Sequence, residues 1–539
     1  MSTAWVNGDM LPMTGEGDSF EALLAADDGT ILATGSTDQV RSLDPTARVV
    51  DLGGACVMPG LIDAHSHLTW STQYLASADL MGCASHAELV ERLRAFAAQH
   101  PEMCQRVIVG AGYDRNDFAE GVDPTAAVLD QVSRDLPVVA MAGSQHMLAC
   151  NTVALAAAGI TAETPDPEGG RYARLPSGEP DGYVEEMPAM APVNALVARL
   201  QDLHLAELIG DMQDLYLAQG ITTCQDGATD AATASELRAL AAAGALKLDV
   251  VAYPRYGEDV RAIADGDPTG VGAPYQGHLR FGGFKMFLDG SPQGRTAWLS
   301  RSYEPGPEGA GYAGYGTLSD EDAYRFCRLA IDSNRQLLTH CNGDEASEQL
   351  LRVYGRALAD SPNPLKRGLR PVMVHCQTVR RDQLERMGPL GMMPSFFVSH
   401  CWYWGDVHLK NLGADRAGRI SPVHDALALR LPFTFHCDTP VLRPNLFEAV
   451  WCAVMRRTKG GAQLDEDQRV SVYQALRAIT VNAAYQYGEE GRKGTLEVGK
   501  LADLAVLSAN PLTIPLDRLR DIQVRATVKE GNLVWGDYS

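Results

Sequence analysis

His65 and His67 stand two residues apart at the end of the apolar stretch GACVMPGLIDAHSH. On an extended strand, residues i and i+2 point to the same face, so both imidazoles can reach one metal ion. Such a pair is common by chance, and its weight comes from its company. Lys285, His340, His375, His400 and Asp438 end or closely follow five further short apolar runs: FGGFKMFLDG, QLLTHCNG, PVMVHCQ, MMPSFFVSH and FTFHCD. In a parallel barrel the active site lies at the C-terminal ends of the strands, where side chains from different strands converge.

The elements that must position these residues follow a β/α rhythm. Leu205, Leu208, Ile209, Met212, Leu215 and Tyr216 keep a helical period that stops at Gly220, and ITTCQDG then reads as a short strand. LDVVAYPRY and the five runs above continue the series. DEDAYRFCRLAIDSN and DEASEQLLRVYGRAL are amphipathic helices between them. With GACVMPGLIDAHSH the strands number eight, as a (β/α)8 TIM barrel requires. The expected fold is therefore α/β. Both β-rich ends (1–57 and 494–539) form a small β-sandwich, residues 58–493 form the barrel, and 70–200 is a large insertion after the first strand, with its own helix HAELVERLRAFAAQ and strand LPVVAMAG.

Of 539 residues, 68 are Asp or Glu and 46 are Lys or Arg, a net charge of −22 that repels phosphate backbones and anionic lipid. Nucleic acid and membrane are not expected partners. No apolar run is long enough to span a bilayer, and the N-terminus lacks a signal core, which reads as a cytoplasmic chain. Eleven cysteines, with no CxxC pair, read as buried hydrophobes in a reducing compartment, Cys341, Cys376 and Cys437 included.

PGLIDAHSH, a later strand lysine, two strand-end histidines and a final strand aspartate resemble the amidohydrolase superfamily of metal-dependent hydrolases. GFKMFLDGS, THCNGDEA, VHCQ and HCDTPV, the insertion and the ending KGTLEVGKLADLAVL resemble its YtcJ-like branch (amidohydrolase family 3), which includes N-substituted formamide deformylases. The resemblance covers nearly the whole chain. It implies one or two divalent metals, most often zinc, held by His65, His67, His340, His375 and Asp438. Lys285 matches the fourth-strand lysine, which in the family's binuclear members is carboxylated and bridges two ions. Burial disfavours the charged lysine, and the neutral amine can capture carbon dioxide as an anionic carbamate, N6-carboxylysine. An unmodified Lys285 paired with Asp289 or another carboxylate is the alternative.

Asp438 can ligate the ion, accept a proton from the attacking water and pass it to the leaving amine; a helix cap before Pro440 is its structural alternative. His400, expected at the end of the seventh strand, would contact the substrate carbonyl or the developing oxyanion from the pocket rim. Trp402, Tyr403 and Trp404 would wall the substrate or pack against the insertion. His436 reads as a supporting or core residue. Asp289, Ser291 and Arg295 would orient substrate or simply bond within their loop. Tyr113, Asp114 and His146 match pocket-facing positions of the branch, with a buried His146 as the plainer reading.

The reaction expected is hydrolysis of a C–N bond in an amide or N-acyl small molecule, a formamide among them, by metal-activated water. Deamination of a cyclic amidine at one metal, and a non-catalytic metal-binding or small-molecule-binding barrel, are the alternatives. A small molecule is the expected partner, and a homodimer is compatible with the chain.

Overall fold

The computed structural model describes residues 1–201, 205–306 and 308–538. Ser539, the last residue of the expected terminal unit, lies outside them. The strands Leu61–Ile62, Ile221–Thr229, Asp249–Pro254 and Leu279–Phe281 form one parallel arc. Gly283–Phe287, Gln336–Cys341, Val372–His375, Met393–Phe396 and Thr434–Phe435 form a second. The FGGFKMF run is divided between the arcs at Gly282, whose N–H still bonds to Ala252. At the other seam no ladder joins Thr434–Phe435 to Leu61–Ile62 among the described residues. Two backbone bonds just beyond those strands span it, Asp438 N–H to His65 O at 3.1 Å and His67 N–H to Thr439 O at 2.7 Å.

Strand alternation sorts the side chains. Ile62, Val251, Tyr253, Leu338, Val372, Val374 and Met393, drawn from both arcs, pack into one inner cluster. Phe284, Met286, Leu337, Cys341 and Met373 face the opposite way, into the layer shared with the helices. The period of two therefore puts Lys285 and His340 on the inner face with Leu338. The expected helices are present at Leu205–Leu217, Asp320–Asp332 and Asp344–Asp360. Ser319 caps the second of these through the Asp322 N–H.

The chain ends pair as a second layer. Thr3–Val6, Ala22–Ala25, Ile31–Gly35 and Arg48–Asp51 make one sheet, and Asp9–Met10, Cys56–Pro59, Leu504–Leu507, Val524–Lys529 and Asn532–Gly536 another. Trp5, Leu23, Ile31, Val57, Leu504 and Val528 pack between them. GACVMPGLIDAHSH is thus two strands: Cys56–Pro59 pairs with Leu504–Leu507, and only Leu61–Ile62 enters the parallel arc. Within 70–200, six strands from Ala78–Asp79 to Pro180–Glu185 form a separate sheet. No described helix is long and apolar enough to cross a membrane.

Candidate metal centre

After Leu61–Ile62 the chain bends at Ala64 and His65, and the buried Asp63 carboxylate accepts the N–H groups of His65 (3.4 Å) and Cys437 (3.2 Å), tying the first and last strand ends together. Burial pushes the Asp63 carboxyl up to about 8. His375 and Asp438 have left-handed φ values of 76° and 53°. Non-glycine residues in that region cost strain and cluster at functional sites.

Asp438 Oδ1 lies 3.5 Å from His65 Nε2 and 3.5 Å from His67 Nε2, and its Oδ2 lies 3.9 Å from His375 Nδ1. Lys285 Nζ is 3.0 Å from His65 Nε2. The His340 and His375 rings are 4.4 Å apart, and His375 is 5.6 Å from His65. Each of these side chains is buried. Lys285 makes no ion pair with Asp289 among the described contacts; burial lowers it to about 7.

The donor set fits a divalent cation. Ligand atoms of His65, His67 and Asp438 lie within 4.8 Å of one another, and Asp438 Oδ1 has no hydrogen-bond partner among the described residues. Burial, reinforced by neighbouring cationic groups, holds His65, His340 and His375 well below the ordinary imidazole range, so they present lone pairs rather than charge. Burial opposes the Asp438 anion, yet the nearby His67 ring and the surrounding His and Lys groups keep it below the usual carboxylate value.

Supporting contacts orient the imidazoles, as second-layer bonds do in metal sites. Gln225 Oε1 is 2.5 Å from His65 Nδ1, Asp289 Oδ1 is 3.2 Å from His340 Nδ1, and His436 Nε2 is 3.2 Å from His375 Nδ1. Asp289 also accepts the N–H groups of Trp298, Asn342 and Gly343, which anchors its loop, and it borders a cavity shared with His146 and Glu186. Ser291, His146 and His400 line the same small cavity as His340, His375 and Asp438.

Three expectations change, for His400, the aromatic run and Tyr113. His400 does not end a strand: the seventh strand stops at Phe396, and His400 opens the short helix His400–Tyr403, with Nδ1 3.0 Å from His408 Nε2. Trp402 turns away, edge-on to Trp451 at 5.1 Å with Arg520 over its ring. Tyr403 donates to Glu448, while Trp404 packs on His400 at 4.5 Å and donates to Asp114. Arg295 takes the loop-bonding alternative, with Glu308 in its own loop, and adds a bond to Asn411 on the helix Gly405–Gly418. Tyr113 is buried, with its hydroxyl on Asp123. Sequence reasoning missed Asp63, Gln225, Glu186 and His408. Asp63 was visible beside the histidine pair and Gln225 sits inside the strand ITTCQDG, whereas no local signal marked the other two.

A parallel α/β assembly that gathers imidazoles, a carboxylate and a buried lysine near its strand ends makes a candidate metal centre. The chain belongs to the amidohydrolase family, which it matches over residues 48–535. It is 27% identical to an N-substituted formamide deformylase of Arthrobacter pascens over 98% of this chain and 97% of that protein. It is 26% identical to YtcJ of Bacillus subtilis (strain 168) over 99% of both. A metal-dependent hydrolase of Pyrococcus horikoshii OT3 shares the fold, with a TM-score of 0.75 at 24% identity over 96% of this chain and 99% of that one.

Proposed function

We propose that this protein is a metal-dependent amidohydrolase that cleaves the C–N bond of an amide or N-acyl small molecule, with N-substituted formamides the first class to test. The observation that carries the reading is the convergence of His65, His67 and Asp438 on one buried point, with Lys285 beside them. The two arcs are read as one eight-stranded barrel, its seam carried by the bonds next to His65 and His67. His65, His67, His340, His375 and Asp438 would hold a divalent cation, zinc in the first instance, and a carboxylated Lys285 would allow a second. A cation held there would polarise a carbonyl and lower the pKa of water towards neutrality.

Asp438 accepts the water proton at Oδ1 and returns it to the departing nitrogen. His400 is set as a donor. His408 Nδ1 is buried without a partner, which puts that ring's proton on Nε2, facing His400 Nδ1. His400 then carries its own proton on Nε2, available to an oxyanion in the cavity it lines. Lys285 beside His65 supports amide hydrolysis over deamination at a single ion.

Metal content per chain, combined with turnover of a panel of N-formyl, N-acyl, carbamate and cyclic amide substrates, tests the reading. Bound divalent metal and metal-dependent release of amine support it. Metal without turnover of any amide favours the non-catalytic barrel.

A further inference from the structure

His146 separates two cavities. One, of about 20 Å³, touches His340, His375 and Asp438; the other, of about 380 Å³, is bordered by Glu186, Arg255, Phe287 and Asp322. The first volume holds about one water, and the second falls in the range of about 300–1,000 Å³ that takes small ligands. The reacting group belongs in the first and the remainder of the substrate in the second.

Charge tells what that remainder is. Glu186 is buried, with its side chain 3% exposed, and its two oxygens are used differently. Oε2 accepts from His146 Nδ1 at 2.7 Å, while Oε1 has no partner among the described residues. Gly290 packs directly against that oxygen, since a Cβ there would lie 2.2 Å from it, so only glycine leaves room for the carboxylate in this position. Glu168 and Asp322 add negative charge to the same cavity. Its one guanidinium, Arg255, faces Glu258 at 3.4 Å through one terminal nitrogen, while its buried Nε has no partner among the described residues, so the carboxylates outnumber it rather than find it fully used. A buried carboxylate oxygen without a donor is costly, and a ligand N–H or ammonium satisfies it.

We infer that the cavity beside His146 receives the amine-side substituent of the substrate, and that this substituent carries an ammonium or other N–H donor bound by Glu186 Oε1. The inference rests on the amide-hydrolysis reading above and replaces the aromatic wall expected from Trp402, Tyr403 and Trp404 with a polar subsite.

The test compares N-(3-aminopropyl)formamide with its isostere N-butylformamide and with N-formyl-β-alanine as substrates of the metal-loaded enzyme. Independently of turnover, calorimetry compares binding of N-(3-aminopropyl)acetamide and N-butylacetamide. The ammonium compounds are expected to be favoured by about tenfold to a hundredfold in kcat/KM and in Kd, the size of a charge-assisted hydrogen bond. In Glu186→Gln, which keeps an acceptor for His146 but loses the charge, the ratio should fall towards one. Equal or better use of the butyl or carboxylate compounds overturns the inference, as does failure of both acetamides to bind. A preference unchanged in Glu186→Gln also overturns it, because the overall charge of −22 then supplies the selectivity. Should Glu186→Gln not fold, the wild-type ratios decide. No turnover of any formamide with the acetamide preference intact refutes the hydrolysis reading and leaves the subsite standing.

Discussion

Gln225→Leu separates metal positioning from chemistry. The Gln225 side chain fills a buried slot in the second strand, accepting at Oε1 from His65 and donating from Nε2 to Ala64 O and Tyr487 Oη, each at 3.0 Å. Leucine matches its size but makes none of these bonds. Ala64 O keeps the Gln486 donor, and the Tyr487 hydroxyl keeps its bond to Asp63 O, so His65 Nδ1 is the one group left stranded. A single buried unsatisfied group costs about 1–3 kcal/mol of stability. Loss of a bond that orients a metal-binding histidine costs about 10- to 100-fold in metal affinity. Chelator competition with zinc should show that weakening, and denaturant unfolding of the metal-free protein should show the smaller midpoint. Metal affinity within threefold of wild type would refute the claim that Gln225 orients His65 for an ion. A stability loss well above about 3 kcal/mol would show that more than one group had been stranded.

Asp438→Asn should retain metal through the histidines while turnover falls about 10²- to 10⁴-fold, since the amide cannot take the proton; activity within threefold at unchanged metal content excludes the shuttle. Trp402→Ala should lower stability by on the order of 3 kcal/mol, from lost packing on Trp451, yet leave the kcat/KM ratio of N-benzylformamide to N-methylformamide unchanged. A shifted ratio in a folded variant would place that ring in the pocket. His278 hydrogen-bonds Asp249 at 2.7 Å, and this bond raises it above its ordinary value of 6.5. Its contribution to stability is therefore complete below about pH 6.5 and lost as pH rises through the higher folded value. The thermal midpoint difference between wild type and His278→Asn should shrink across that window; a difference that grows with pH contradicts the assignment.

Features set by short-range pattern were legible before any coordinates. His65 and His67 do meet at Asp438, but past the end of the strand Leu61–Ile62, with His65 in a bend and His67 held by an isolated bridge to Asp226, so strand alternation does not account for them. Alternation does put Lys285 and His340 with Leu338 on the inner side. Helices such as Asp320–Asp332 announced themselves by period and cap. Where a segment leaves regular structure, that logic ends. MMPSFFVSH looked like one strand, but it leaves the sheet after Phe396, and the aromatic sequence that follows had no period to orient it.

The sequence by itself determined the donor types, their order along the chain and the strand ends on which most of them fall, because these depend on residue identity and on neighbours within a few positions. Tertiary structure alone decided which of them meet and what supports them. Gln225 reaches His65, Glu186 reaches His146 and His408 reaches His400 through packing of separate elements. Arg295 and Trp402 turn from the site because Glu308 and Asn411, and Trp451 and Arg520, offer better partners. A side chain on a loop can rotate towards any of several partners, and distant residues brought close by the fold select one of them.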